Sequence, residues 1–276
     1  MKDLVYKIKR LLGYVLGFLL FYEPFMLFQK LADCIFPQIG FQTLHVPCAR
    51  IPLADLLTGN WLNAGVTSLV FCALLILITL WLGPVFCGRL CPAGAFSEYL
   101  SSILPDKYKI DWSKLIPIIP VRYGFLIGYM SAAFIGINNP CAYCNYYSLE
   151  IFINFLVTGH ILNLLPSLLI TFLSVNVILG IFTKGGRGYC MFLCPIGAFS
   201  SIISVIGKKL PYSKRLRIDK CSCINCGLCS HQCPMRAIIQ VSGKQTIQQQ
   251  LCINCGQCSH TCPKQAIKYT FNQEDK

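Results

Sequence analysis

Apolar residues run along this chain in long stretches rather than in the alternation of an amphipathic surface. A basic leader at residues 1–10 precedes an apolar run from Leu11 to about Phe28, broken only by Glu23. From Ala64 to Phe86 no charged residue occurs over 23 positions, enough at about 1.5 Å per residue to cross a hydrocarbon layer of about 30 Å. A third run, about Val121 to Ile137, starts behind Pro117, Pro120 and Arg122, and a fourth, about Ile161 to Phe182, is again uncharged. Helices are predicted over all four. The first reads as a retained span, since it is too long for a simple signal core and no small-residue cleavage site follows. The pattern predicts an α-helical membrane protein with four transmembrane helices, followed by a polar, cysteine-rich α+β domain.

The helical half is duplicated. Thr58-Gly-Asn-Trp-Leu-Asn63 returns as Thr158-Gly-His-Ile-Leu-Asn163, and Cys87-Gly-Arg-Leu-Cys91-Pro92 returns 103 residues on as Cys190-Met-Phe-Leu-Cys194-Pro195. Two spans in each repeat give both repeats one orientation and put the two C-x-x-x-C-P motifs on the same side. The expected domains are a four-span membrane domain over 1–207 (repeats about 11–105 and 118–207), a basic linker over 208–217, and a terminal domain over 218–276.

Composition sharpens this reading. The chain is 55% hydrophobic and 13% charged, too apolar for an ordinary soluble domain. Its 24 basic and 11 acidic residues give +13, unevenly spread: residues 184–276 hold 13 Lys/Arg against 3 Asp/Glu, or +10. Basic residues gather in the leader, the tail and the connection carrying Arg89, Lys107, Lys109, Lys114 and Arg122. The positive-inside rule then predicts a multi-pass protein of the cell (inner, cytoplasmic) membrane with both termini cytoplasmic. The basic tail suits anionic lipid or an acidic redox partner; nucleic acid is not expected. Eighteen cysteines, most in C-x-x-C or C-x-x-x-C runs, point to metal ligation by reduced thiols rather than to a disulfide framework.

The tail contains Cys223-Ile-Asn-Cys226-Gly-Leu-Cys229-Ser-His-Gln-Cys233-Pro234 and, 29 residues on, Cys252-Ile-Asn-Cys255-Gly-Gln-Cys258-Ser-His-Thr-Cys262-Pro263. This is the two-cluster bacterial ferredoxin pattern, in which three cysteines of one run and the fourth of the other hold each cubane. It assigns Cys223, Cys226, Cys229 and Cys262 to one 4Fe-4S cluster, and Cys252, Cys255, Cys258 and Cys233 to a second. Zinc is the bland rival for C-x-x-C pairs. The thiols Cys87, Cys91, Cys190 and Cys194 either complete an additional membrane-proximal iron–sulfur cluster or act as redox dithiols; a following proline suits the first turn of a helix, whose N-terminus favours anions.

Other residues carry weaker signals. Cys221 lies out of register and reads as a free thiol. Cys34, Cys48, Cys141 and Cys144 form an outer group, suited to a metal or a disulfide, and Cys72 reads as packing. Glu23, His45 and His160 fall near predicted span ends, where a quinol would need a proton acceptor. His231 and His260 occupy matching places in the ferredoxin repeats, at the surface or tuning a cluster.

Twin C-x-x-x-C-P motifs between apolar runs, followed by a two-cluster ferredoxin, resemble the NapH-like membrane ferredoxins and the wider NosR–CcoG polyferredoxin group. The resemblance covers nearly the whole chain. It implies an electron-transfer subunit that joins the quinone pool or a membrane partner to a redox protein, as part of a quinol dehydrogenase. The CcoG resemblance also allows an electron-supplying factor for cofactor maturation, and a redox sensor is the third reading. Unlike NosR, the chain has no room for a flavin-carrying domain, and no C-x-x-C-H for haem occurs.

Overall fold

The computed structural model describes residues 2–22, 25–35, 66–132, 144–159, 170–171 and 173–271. Its helical half contains α1 (Lys2–Phe21), α2 (Leu27–Ile35), α3 (Val66–Leu82), α4 (Pro92–Ser102), α5 (Trp112–Leu115), α6 (Ile118–Ser131), α7 (Asn145–Thr158), α8 (Gly188–Phe192) and α9 (Pro195–Gly207). Two wider, π-helical turns, Phe86–Leu90 and Ser174–Ile181, interrupt it.

The four-span expectation is overturned: among the described residues no helix is long and apolar enough to cross a membrane. The multi-pass location with cytoplasmic termini falls with it. The reason lies in how the apolar runs are cut. α1 absorbs the basic leader and stops at Phe21, and the chain turns through Met26 at φ 41° before α2 begins. The longest uncharged run yields a helix of 17 residues, about 25 Å at 1.5 Å per residue, because Gly83 takes φ 78° and Pro84 follows. The third run gives the 14 residues of α6, and the described end of the fourth gives the 8-residue turn Ser174–Ile181. Residues 133–137 of the third run and 161–169 and 172 of the fourth lie outside the described residues.

The repeats are interlocked. α9, which follows the second cysteine motif, packs on α3 of the first repeat, while α4, which follows the first motif, packs on the Ser174–Ile181 turn of the second. Phe21, Tyr22, Phe71, Leu75, Phe86, Ala93, Tyr146 and Leu149 fill the core between them. A buried polar contact joins the halves as well, with Ser97 Oγ of the first repeat donating to Asn176 Oδ1 of the second at 3.1 Å. Elsewhere the helices keep large apolar side chains exposed, among them Leu12, Trp81, Ile127 and Leu156.

The terminal module is α+β. β1 (Lys214–Ile218) pairs antiparallel with β4 (Ile267–Phe271), and β2 (Ile238–Val241) with β3 (Lys244–Ile247). Short helices α10 (Leu228–His231) and α11 (Gln257–Thr261) complete the two halves. The module is no free appendage: Ile118, Met191 and Phe192 of the helical half share one core with Leu216, Met235, Leu251 and Ile253.

Two polar clamps fix the joint. Arg215 on β1, 1% exposed, donates to the carbonyls of Thr79 and Leu80 at 2.8 and 2.9 Å. A cation there satisfies the last turn of α3 and complements its negative end. Asn254 caps the same end through the Leu82 carbonyl. Replacing Arg215 by Ala strands two buried carbonyls, so unfolding should come easier by about 2–3 kcal/mol, as for lost hydrogen bonds from a charged donor. Denaturant titration of the parent and the variant checks this.

Candidate iron–sulfur sites

The ferredoxin loops owe their shape to left-handed residues in both copies. Asn225 and Gly227 have φ 54° and 76°, Asn254 and Gly256 φ 52° and 84°, and after each Cys-Pro come Arg236 and Gln265 at φ 51° and 50°. Asn and Gly tolerate this region at low cost. The turns aim backbone N–H groups at sulfur: Ala237 donates to Cys233 Sγ at 3.3 Å and Ala266 to Cys262 Sγ at 3.4 Å.

Two cavities result. Cys223, Cys226, Cys229 and Cys262 line one, with about 370 Å³ of empty space including its open mouth, and Cys226 is exposed at its rim. Cys233, Cys252, Cys255 and Cys258 line the other, about 330 Å³, among Leu216, Met235, Ile238 and Ile253.

The two C-x-x-x-C-P motifs meet at a third cavity of about 570 Å³, lined by Cys87, Cys91, Cys190 and Cys194. The local geometry repeats. The N–H of Cys91 reaches the carbonyl of Phe86 at 2.8 Å, and that of Cys194 reaches Tyr189 at 3.1 Å, both five residues back. Such widened turns gather at functional sites. Cys91 and Cys194 then cap α4 and α9, each with proline next, and Gly197 N–H donates to Cys194 Sγ at 3.3 Å.

Two buried arginines that the sequence patterns did not single out line this cavity, Arg122 at 3% and Arg187 at 1% exposure. They lie so close over Gly197 and Gly94 that a β-carbon there would stand 2.8 and 2.7 Å from guanidinium nitrogens. Arg187 donates to Glu98, to the Cys87 carbonyl and to the Tyr14 hydroxyl, each at 2.7 Å. Burial opposes its charge, but Tyr14, Glu98 and Cys190 outweigh burial and hold it ionised. Arg122 donates to the Gln250 carbonyl at 3.1 Å, yet its Nε has no partner among the described residues. Burial pulls its pKa down against the pull of Cys194, Cys87 and Cys190. Arg122 stands as a lone charge beside an apolar run, whereas Arg187 follows Lys184 by three residues and carries no such signal.

The thiols of the iron-free chain are held protonated. Burial first, then the neighbouring thiols, push Cys87 up to about 12 and Cys91 to about 11, and raise Cys194 well above the ordinary value. In the module, burial with thiol repulsion pushes Cys233 to about 11 and, against a backbone hydrogen bond to Asn254, Cys252 to about 12.

These residues fit a cluster better than a lone ion. Among the described residues no group of three or more His, Cys, Asp or Glu side chains is arranged to hold a single metal ion. The thiols surround volumes instead, as a cubane with iron at four corners requires. Two guanidinium groups at the third cavity suit an anionic group, and the N–H···S contacts suit cluster sulfur.

Other candidates fall elsewhere. Cys144 leaves the outer group and lines the third cavity as a fifth thiol, Cys34 is exposed on α2, and Cys72 is buried in α3. Cys221 is exposed and outside the two cysteine-lined cavities of the module. His260 stacks on Tyr6 with ring centroids 4.0 Å apart, and His231 is exposed. Glu23, His45, Cys48, Cys141 and His160 lie outside the described residues.

Known proteins share the iron–sulfur character of these segments. A family model described as a 4Fe-4S dicluster domain matches residues 222–267. One described as a 4Fe-4S binding domain matches twice, at 64–111 and 164–213, once over each C-x-x-x-C-P motif. The fold and these matches define an iron–sulfur protein with 4Fe-4S binding domains, the class that transfers single electrons. Among its relatives are MJ0750 of Methanocaldococcus jannaschii, uncharacterized by name and 28% identical over 59% of this chain and 63% of its own, and YccM of Escherichia coli K12. YccM, provisionally named an electron transport protein, is 27% identical over 66% of this chain and 50% of its own length. The chain thus spans about half to five-eighths of these relatives. No solved structure matches it.

Thiols of the unfolded chain ionise near about 8.5, below the values of about 11 and 12 held by Cys91, Cys233, Cys87 and Cys252 in the fold. Between those values the folded iron-free chain binds more protons than the unfolded one. Its stability is then full below pH about 8.5 and lost as pH rises toward 11–12. Thermal melts should show the iron-free protein losing stability from pH 8 to 10.5, while the loaded protein, its thiols already deprotonated, shows a shallower fall.

Proposed function

We propose that the chain is a single-electron relay with three 4Fe-4S sites in line. The inner site is held by Cys87, Cys91, Cys190 and Cys194, the middle one by Cys233, Cys252, Cys255 and Cys258, and the outer one by Cys223, Cys226, Cys229 and Cys262. Each cluster, when bound, accepts and returns one electron at a potential set by its surroundings.

The observation that carries this reading is a shared wall. Met235, fully buried, and Ile253 line the inner and middle cavities alike, so one layer of apolar side chains separates them. The joint is tightened by Gly88, between Cys87 and Cys91. A β-carbon there would run into the Ile253 carbonyl and stand 2.9 Å from the Cys255 nitrogen. Its counterpart in the second repeat is Met191, so only the first repeat can seat the module this way. Tyr6 adds a hydrogen bond to the Cys255 carbonyl at 3.0 Å, and Arg89 one to the Tyr269 hydroxyl at 2.9 Å. Arg122 and Arg187 offset negative charge at the inner site, which favours its reduced state. The provisional name of YccM agrees with this function.

Iron analysis separates relay from plain ferredoxin. The loaded chain should hold about twelve irons, and Cys87→Ser/Cys194→Ser about eight, by cubane counting. About eight in the parent would remove the inner site.

The donor at the inner end is the finer question, and the exposed apolar side chains of the helical half favour a quinol, an apolar electron carrier. A short-chain quinol should then bleach the iron–sulfur absorbance of the loaded chain. Bleaching by dithionite alone would remove the quinol and leave the relay standing.

A further inference from the structure

Beside the outer cavity lies an open groove of about 1640 Å³, lined by Lys208, Arg215, Arg217, Lys220, Lys268 and a single acid, Asp219. Lys208, Lys220 and Lys268 are exposed. Asp219 is turned back into its own loop, where it accepts from the Cys221 N–H at 2.9 Å and the Ser222 hydroxyl at 2.5 Å. Its carboxyl is held below the usual range by the Ser222 hydrogen bond, with Lys268 adding to the effect. Fully ionised, it still stands as one negative charge against the five cations that line the groove.

The groove is continuous with the outer site. Ile218, Gln245 and Ala266 line both the groove and the cavity of Cys223, Cys226, Cys229 and Cys262. The rim of that cavity carries exposed Cys226 between Ile224 and Leu228, exposed at 58% and 47%. A small apolar contact at the thiol edge, flanked by fixed positive charge, is the arrangement expected of a transient redox interface: charge steers the encounter and the apolar spot brings the centres close.

We infer that this groove docks an acidic single-electron carrier protein, which exchanges its electron across the Cys226 edge. The inference rests on the relay reading and names the partner of its outer end. In the exchange one electron leaves the reduced outer site, which is oxidised by one, and enters the carrier, which is reduced by one; a flavin carrier takes its proton from solvent, and no other atom moves. Charge complementarity decides for an acidic protein, and the apolar edge at Cys226 gives that protein, unlike a lipid headgroup, an electron to exchange.

The test uses the full, iron-loaded chain, reduced with dithionite and mixed with an oxidised acidic flavodoxin as probe. Lys220→Glu/Lys268→Glu should slow the second-order exchange at least about tenfold at low ionic strength, a loss that shrinks to within about twofold at about 0.5 M salt, the scale of electrostatic steering. Lys244→Glu, at the start of β3 and outside the groove, should stay within about twofold of the parent. Iron content and dithionite reduction should be the same in all three proteins, so that failure of the relay, seen there, is distinct from failure of the docking. Lys220→Gln/Lys268→Gln should give an intermediate rate and guards against misfolding of the reversal. The inference is overturned if the double reversal exchanges as fast as the parent at low salt, or if Lys244→Glu slows it equally. It is also overturned if the reversal abolishes binding to phosphatidylglycerol vesicles while leaving exchange untouched.

Discussion

The buried guanidinium of Arg187 is the contact on which the helical half depends. It ties Glu98 of α4, Tyr14 of α1 and the Cys87 carbonyl of the first cysteine motif into one network, although it comes from the second repeat. Glu98 is gripped from the other side by Arg10, 2.7 Å away, and the Tyr14 hydroxyl donates to the Gly88 carbonyl at 2.8 Å. A buried charge is costly unless fully paired, so this network fixes one arrangement: the two motifs face each other, with Arg187 over Gly94 and Arg122 over Gly197. Arg122 lies over Gly197 after the second motif and links that region to the module through the Gln250 carbonyl. The inner cavity is therefore a consequence of charge placement as much as of thiol spacing.

The same constraint explains why the terminal module is seated rather than tethered. Gly88 lies within the first motif and against the backbone of Ile253 and Cys255, so forming the inner cavity also forms the docking surface for the middle one. Met235 belongs to both cavities because the chain after Cys233 runs directly along this joint. From there the thiols lead outward, from buried Cys233, Cys255 and Cys258 to exposed Cys226.

Much of the site was legible in the sequence because ferredoxin ligation is local. The spacing of Cys223 to Cys233, repeated from Cys252 to Cys262, dictates turns that need Asn and Gly at left-handed positions, and these stand in the sequence at Asn225, Gly227, Asn254 and Gly256. The repeat puts Cys87 and Cys91 in positions equivalent to Cys190 and Cys194, and all four line one cavity. Long-range facts were not legible. Nothing near Cys87 announces Arg187, one hundred residues on, or places Cys144 beside it. Uncharged length is not helix length in this chain, so the apolar runs do not become membrane spans among the described residues. Gly83-Pro84, the turn at Met26 and the wide turn at Ser174–Ile181 cut those runs into shorter helices that pack on one another.

The central claim is that an inner iron–sulfur site stands one side-chain layer from the middle one. Electron paramagnetic resonance of the fully reduced full chain tests it most directly. The account predicts about three spins per chain, with the splitting of neighbouring centres, and about two in Cys194→Ser with the inner contribution gone. Two spins in the parent, with a spectrum unchanged by Cys194→Ser, would contradict it.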